Sequence, residues 1–168
     1  MRRVPFSARQ GDDYVAERAS APCFICEIVA GGTRRKAHEI VYEDDYVIAF
    51  LSSLPTHYGQ TLVCPKRHVV DVVGGLALDE YLYLQRIVHA VGRAVEQVVK
   101  PERIYIASLG SHQVNAHVHF HVHPLPPGVP VREQQMVSML LEAVGRLELT
   151  QDEWDDLGLR IRTAVQII

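Results

Sequence analysis

Two hydrophobic periods divide the chain. Between residues 79 and 99 the apolar side chains Leu84, Ile87, Val88, Val91, Val95 and Val98 recur three or four apart, which places them on one stripe of a long helix. Lys100-Pro101 ends that stretch, because proline cannot continue a helix. A period of two is strict over 117–123, where Val118, Phe120 and Val122 alternate with polar residues. Segments 38–43, 46–51 and 60–64 read as strands, with Asp44-Asp45 as a tight turn and Pro55 and Gly59 punctuating the way to the third. Two more strands are expected at 103–109 and 116–124, joined by the short connection 110–115 and stopped by the proline-rich run 125–130.

The ends of the chain are less patterned. Ser7 to Asp13 shows no apolar period, so residues 1–20 read as a flexible N-terminal arm. A short helical turn is expected over 24–30, ended by Gly31-Gly32 and followed by the basic loop Thr33-Arg34-Arg35-Lys36. Beyond Pro130 the pattern reads as helix over 133–147, then as a second helix opened by Thr150-Gln151-Asp152-Glu153, which has the form of a capping box. Strands, one long helix, then strands argue for an α+β domain on an antiparallel sheet.

With 168 residues, 48% of them apolar, the chain fits one domain with a sizeable core, and no internal repeat or linker divides it. A net charge of −3 argues against a general nucleic-acid binder but leaves a small phosphorylated ligand open. No apolar run approaches a membrane span, and Met1-Arg2-Arg3-Val4-Pro5-Phe6 lacks the apolar segment of a signal peptide, so the expected location is the cytoplasm. Three cysteines are too few and too odd in number for a secreted disulfide scaffold. Two of them form Cys23-Phe24-Ile25-Cys26, half of a zinc site or a redox pair; downstream histidines and the lack of a preceding strand favour the metal.

The alternation His117-Val118-His119-Phe120-His121-Val122-His123 carries the chemistry. On a strand it sends four imidazoles to one side and the β-formers Val118, Phe120 and Val122 to the other. A merely solvated face has no reason to choose histidine repeatedly, whereas imidazole binds metals, moves protons near neutrality and attacks electrophiles. Gln113 and Asn115, just ahead, are of the kind that contacts a phosphate or leaving group.

This run resembles the signature of the histidine-triad family of nucleotide hydrolases and transferases, in which histidine alternates with apolar residues. Cys23 to Val29 looks like the family's zinc-binding segment, Val41 to Leu51 its first hairpin and Gly59 to His68 its next strand and turn, in the family's order. The similarity spans 21–130, leaving 131–168 as a C-terminal helical extension.

The resemblance implies a five-stranded antiparallel sheet with a long helix, usually paired as a homodimer. It also implies that His119 attacks the α-phosphorus of a nucleotide, that His121 donates to an α-phosphate oxygen, and that His117 completes the catalytic triad without a catalytic metal. A structural zinc on Cys23, Cys26, His68 and His117 is implied as well; Cys64 reads instead as a small buried strand residue. For the nucleoside, Ile25, Ile28, Phe50 and Leu62 would wall the base. Ser52 stands where the family carries a carboxylate or carboxamide for the ribose, and it can serve only one hydroxyl where a carboxylate accepts from both.

The substrate classes implied are dinucleoside polyphosphates and nucleoside phosphoramidates, the extension after Pro130 looking more like the dinucleoside polyphosphate hydrolase branch. The alternative is a nucleotide sensor or zinc-binding module without turnover. His123, where the family is apolar, is expected to face solvent at the strand end. No role is assigned to His57, His89 or His112, and His38 begins a strand.

Overall fold

The computed structural model describes residues 2–36 and 38–167. In chain order the elements are β1 (Arg2–Val4), α1 (Ala8–Ser20), α2 (Phe24–Val29), α3 (Thr33–Lys36), β2 (Ile40–Glu43), β3 (Val47–Leu51), β4 (Thr61–Pro65), α4 (Leu78–Val99), β5 (Arg103–Ala107) and β6 (Phe120–Leu125). Two 3-10 turns, Val131–Glu133 and Gln135–Met139, then lead to α5 (Leu141–Val144), β7 (Arg146–Glu148) and α6 (Gln151–Ala164).

The five-stranded sheet has the order β2-β3-β4-β6-β5, antiparallel throughout. The β2–β3 turn is held by Asp44, whose carboxylate accepts the Tyr46 and Val47 N–H groups at 2.7 Å each. Period two then sorts the residues. Ala49, Leu51, Val63, Phe120 and Val122 face α4 and bury its stripe, Leu84, Ile87, Val88, Val91 and Val95, in the main core. Each fully buried large side chain there contributes roughly 1.5–3 kcal/mol relative to exposure. The opposite face carries Ile48, Phe50, Leu62 and Cys64, capped by Ile25 and Ile28 of α2 in a second core cluster. Phe50, Leu62, His121 and Ala107 are successive cross-strand partners, so His121 stands on this second face.

Three expectations are corrected. Residues 2–20 of the expected arm are not irregular: β1 pairs antiparallel with β7, and α1 starts on a capping box in which Ser7 Oγ accepts the Gln10 N–H and Gln10 returns a bond to the Ser7 N–H. Residues 133–147 do not form one helix. Gly145 in the left-handed region (φ 73°) breaks it, an added Cβ there would lie 2.5 Å from the Val4 carbonyl oxygen, and 146–148 leave as β7. Strand β6, expected from 116, begins at Phe120, so His117 and His119 lie on the segment leading into it, where the Val118 N–H donates to the Val69 carbonyl at 2.6 Å. The helix after Thr150 forms with its capping box as expected.

Candidate active site and metal cluster

His117 organises the site from its backbone and both ring nitrogens. Its Nε2–H donates to the Pro65 carbonyl at 2.8 Å, which leaves the Nδ1 lone pair pointing at sulfur: 3.4 Å to Cys23 Sγ and 3.6 Å to Cys26 Sγ. His68 Nδ1 lies 3.2 Å from Cys26 Sγ, and one donor atom from each of Cys23, Cys26, His68 and His117 falls within 4.8 Å of all the others. Donors held ~2.0–2.3 Å from a tetrahedral zinc stand roughly 3.3–3.8 Å apart, so these four residues fit such an ion in number, type and spacing. Burial and the adjacent Cys23 push the Cys26 thiol up to about 11, a strain that a cation between the sulfurs removes. Cys64 is fully buried in the second core cluster and outside this group.

The carbonyl of His117 fixes the next histidine. It accepts the Nδ1–H of His119 at 2.7 Å, so the lone pair of the neutral ring is on Nε2. Burial lowers the His119 pKa, only partly opposed by that carbonyl bond. His121 packs against His119 with ring centroids 4.9 Å apart, and burial together with His119 takes it down to about 4. Both rings are therefore neutral near pH 7 and face a pocket of about 410 Å³.

Ser52, Leu62 and Asn115 line this pocket, and Gln113 lies in an adjoining recess of about 160 Å³ beside the Cys/His cluster. Ile25, Ile28 and Phe50 do not line it. All three are completely buried behind it, where Phe24 and His38 pack edge-on against Phe50 at 6.4 and 5.2 Å. The apolar wall is instead made by Phe24, Leu54, Leu62, Met139 and Leu141, so the segment after Pro130 covers the site. Tyr14, Glu17 and Arg18 of α1, Arg34 of α3, His38 and Gln60 complete it, residues to which the pattern assigns no site role. One signal for α1 was present, the Ser7-x-x-Gln10 capping pattern.

His123 does not see solvent. It is wholly buried, with its ring 5.0 Å from that of His57 and stacked at 6.3 Å on Tyr105. Ser138 Oγ donates to the Gln135 carbonyl and so accepts from His123 Nε2–H, while Arg3 can only donate to His57 Nδ1. That leaves a donor on His57 Nε2 and an acceptor on His123 Nδ1, the two buried ring atoms without a partner among the described residues.

The profile of the HIT domain matches residues 33–127, more than half of the chain. The protein belongs to the HIT family. HIT proteins are nucleotide-binding hydrolases and transferases, and its relatives include an uncharacterised HIT-like protein of Saccharolobus solfataricus, 36% identical over 61% of this chain and 73% of that one. A bifunctional adenosine 5'-phosphosulfate phosphorylase/adenylylsulfatase of Arabidopsis thaliana is 33% identical over 62% of this chain and 70% of the relative. Among solved structures, a histidine triad nucleotide-binding protein of Sulfolobus tokodaii superposes with a TM-score of 0.67 at 26% identity, covering 85% of this chain and 91% of the other. A zinc-bound histidine triad protein of Mycobacterium smegmatis shares the HIT fold, with a TM-score of 0.65 at 24% identity over 85% of this chain and 92% of that one. Among the described residues no helix is long and apolar enough to cross a membrane.

Proposed function

We propose that the protein is a nucleotide hydrolase or nucleotidyl transferase in which His119 Nε2 attacks the α-phosphorus of a dinucleoside polyphosphate or nucleoside phosphoramidate. The observation that carries this reading is the 2.7 Å bond from His119 Nδ1–H to the His117 carbonyl, which aims an unprotonated Nε2 at the pocket. A bond forms between Nε2 and phosphorus while the bond from phosphorus to the leaving group breaks, the electron pair departing with that group. Water then attacks the nucleotidyl-histidine, the P–N bond breaks, and a nucleoside monophosphate, a proton and neutral His119 result. The carbonyl of His117 would hold the imidazolium formed in the first step, and His121, packed against His119, would donate to a non-bridging oxygen.

Cys23, Cys26, His68 and His117 would hold a structural zinc, which when bound supplies a fixed positive charge and a cross-link between α2 and the histidine segment. Its contribution is to position His117, and through it His119. The Arabidopsis relative, whose name places it at an adenosine 5'-phosphosulfate, supports an adenylyl donor as substrate.

Intact-protein mass after rapid, acid-free quenching tests the reading, with diadenosine tetraphosphate and adenosine 5'-phosphoramidate as substrates. A transient nucleotidyl adduct on wild type, absent from a folded His119→Ala protein that releases no product, is expected. Wild-type turnover by His119→Ala removes His119 from the chemistry, and no product from either substrate favours a sensor or zinc module instead.

A further inference from the structure

The pocket is finished by a helix outside the family-matched segment. Tyr14, Glu17 and Arg18 of α1 line it beside His119 and His121, and their i, i+3, i+4 spacing puts them on one face of that helix. The helix is tied down at the site itself, because Asn115 Nδ2 donates to the Tyr14 hydroxyl at 2.9 Å, just ahead of the histidine run.

Arg18 is the unusual member of this face. Its side chain is only 6% exposed, yet it borders both the main pocket and the recess holding Gln113 and His117. Its ion-pair partner is the neighbouring Glu17, whose side chain is 67% exposed, and a pair so solvated holds a guanidinium weakly. The remaining guanidinium donors have no protein partner among the described residues. Arg34, the other cation in the pocket, is engaged by Glu27. A sheltered guanidinium with unused donors, lining the same pocket as the His119 and His121 rings, suits a tetrahedral oxyanion, which the planar fork can grip through two N–H bonds.

We propose that Arg18 binds an oxyanion of the group expelled from the α-phosphorus, so that the site prefers substrates whose leaving group is a phosphate or sulfate over those that expel an amine. This rests on the reading of His119 as nucleophile. As the P–O bond breaks, its electron pair stays on the leaving oxygen, and a fixed cation next to that oxygen stabilises the charge as it grows. An amine leaving group takes up a proton as it departs and gains nothing from a neighbouring cation. Arg18 is thereby a specificity residue contributed by α1.

The test compares kcat/KM for diadenosine tetraphosphate, adenosine 5'-phosphosulfate and adenosine 5'-phosphoramidate in wild type, Arg18→Ala and Arg18→Lys. In Arg18→Ala the preference for each anionic leaving group over the amine falls roughly ten- to a hundred-fold, the worth of a charged hydrogen bond, with partial rescue by Arg18→Lys. A fall confined to one of the two anions identifies whether phosphate or sulfate is the natural occupant. An unchanged preference, even with all rates lowered together, overturns the assignment. Binding of inorganic pyrophosphate, measured by calorimetry, reads Arg18 without turnover: affinity drops by a similar factor in Arg18→Ala, and equal affinities overturn the proposal. If wild type turns over none of the three yet pyrophosphate binding still depends on Arg18, the nucleophile reading fails while the oxyanion site stands.

Discussion

Gly110 is packed against the ring of His119: a Cβ added to it would stand 3.2 Å from His119 Cε1 and 2.5 Å from the Asn115 carbonyl oxygen. Neither neighbour can yield without moving the candidate nucleophile or the loop before it. Gly110→Ala is therefore expected to lower kcat by about ten- to a hundred-fold, the cost of misplacing a reacting group by ~1 Å, with little change in zinc content. Steady-state kinetics beside metal analysis checks this, and undiminished kcat would show that the ring has room.

The Cys/His cluster predicts an order of events on loss of a ligand. Cys23→Ala, or a strong chelator on wild type, removes zinc and lowers the melting temperature before any effect specific to the chemistry. At a hundredfold excess of metal over Kd the stabilisation lost is ~2.7 kcal/mol, or roughly 5–11 °C for a domain this size. Calorimetry with and without added zinc decides: a melting temperature indifferent to zinc argues against a structural ion.

His57 and His123 set a pH window for stability. Burial takes His57 down to about 4, with the nearby Arg3 charge adding to the shift, and takes His123 down to about 3, helped by His57 and His121. Both pKa values are depressed in the folded state, so the unfolded chain binds more protons below pH ~6.5 and stability falls as pH drops from there towards 4. The slope is up to about 1.4 kcal/mol per pH unit for each histidine, and it is absent above pH ~7. Urea unfolding at successive pH values measures it; His57→Phe should flatten the curve, and an unaltered slope would mean that His57 is not the group responsible.

At the C-terminus, Thr150 Oγ1 accepts the Glu153 N–H at 3.3 Å and Glu153 returns a 2.9 Å bond to the Thr150 N–H. Thr150→Ala is expected to cost ~1 kcal/mol, or about 2–4 °C in melting temperature, because α6 packs on α4 through Leu157 and Ile161. Thermal melts of the two proteins suffice, and equal melting temperatures would place the start of α6 outside the cooperative unit.

What the sequence revealed and what it hid follow from different physics. The α4 stripe is legible because its apolar side chains repeat at the helical period, and β3 and β4 because short apolar runs stand between turn signals. Of the Cys/His cluster, Cys23 and Cys26 are legible as half of a candidate metal site from their spacing, whereas His68 and His117 join them only through the family resemblance. Helix α1 was hidden because it buries no apolar residue; what it presents to the pocket is polar, and periodicity arguments look for apolar faces. The β1–β7 pairing joins Arg3 to Leu147, a contact no local window contains. The resemblance implies Phe50 for the pocket wall and is silent on Met139, which lies beyond the similar segment; packing puts Phe50 in the core and Met139 at the pocket.

His117 serves three neighbours at once: Nδ1 faces the sulfurs, Nε2–H holds Pro65, and its carbonyl orients His119. The third service comes from the peptide and survives any side chain, but it is only as accurate as the two ring contacts make it. Position 117 is thus a hinge pin between the Cys/His cluster and the candidate nucleophile. A change at α1 or the C-terminal segment alters one wall of the pocket, whereas a change here reaches the cluster and the His119 ring together.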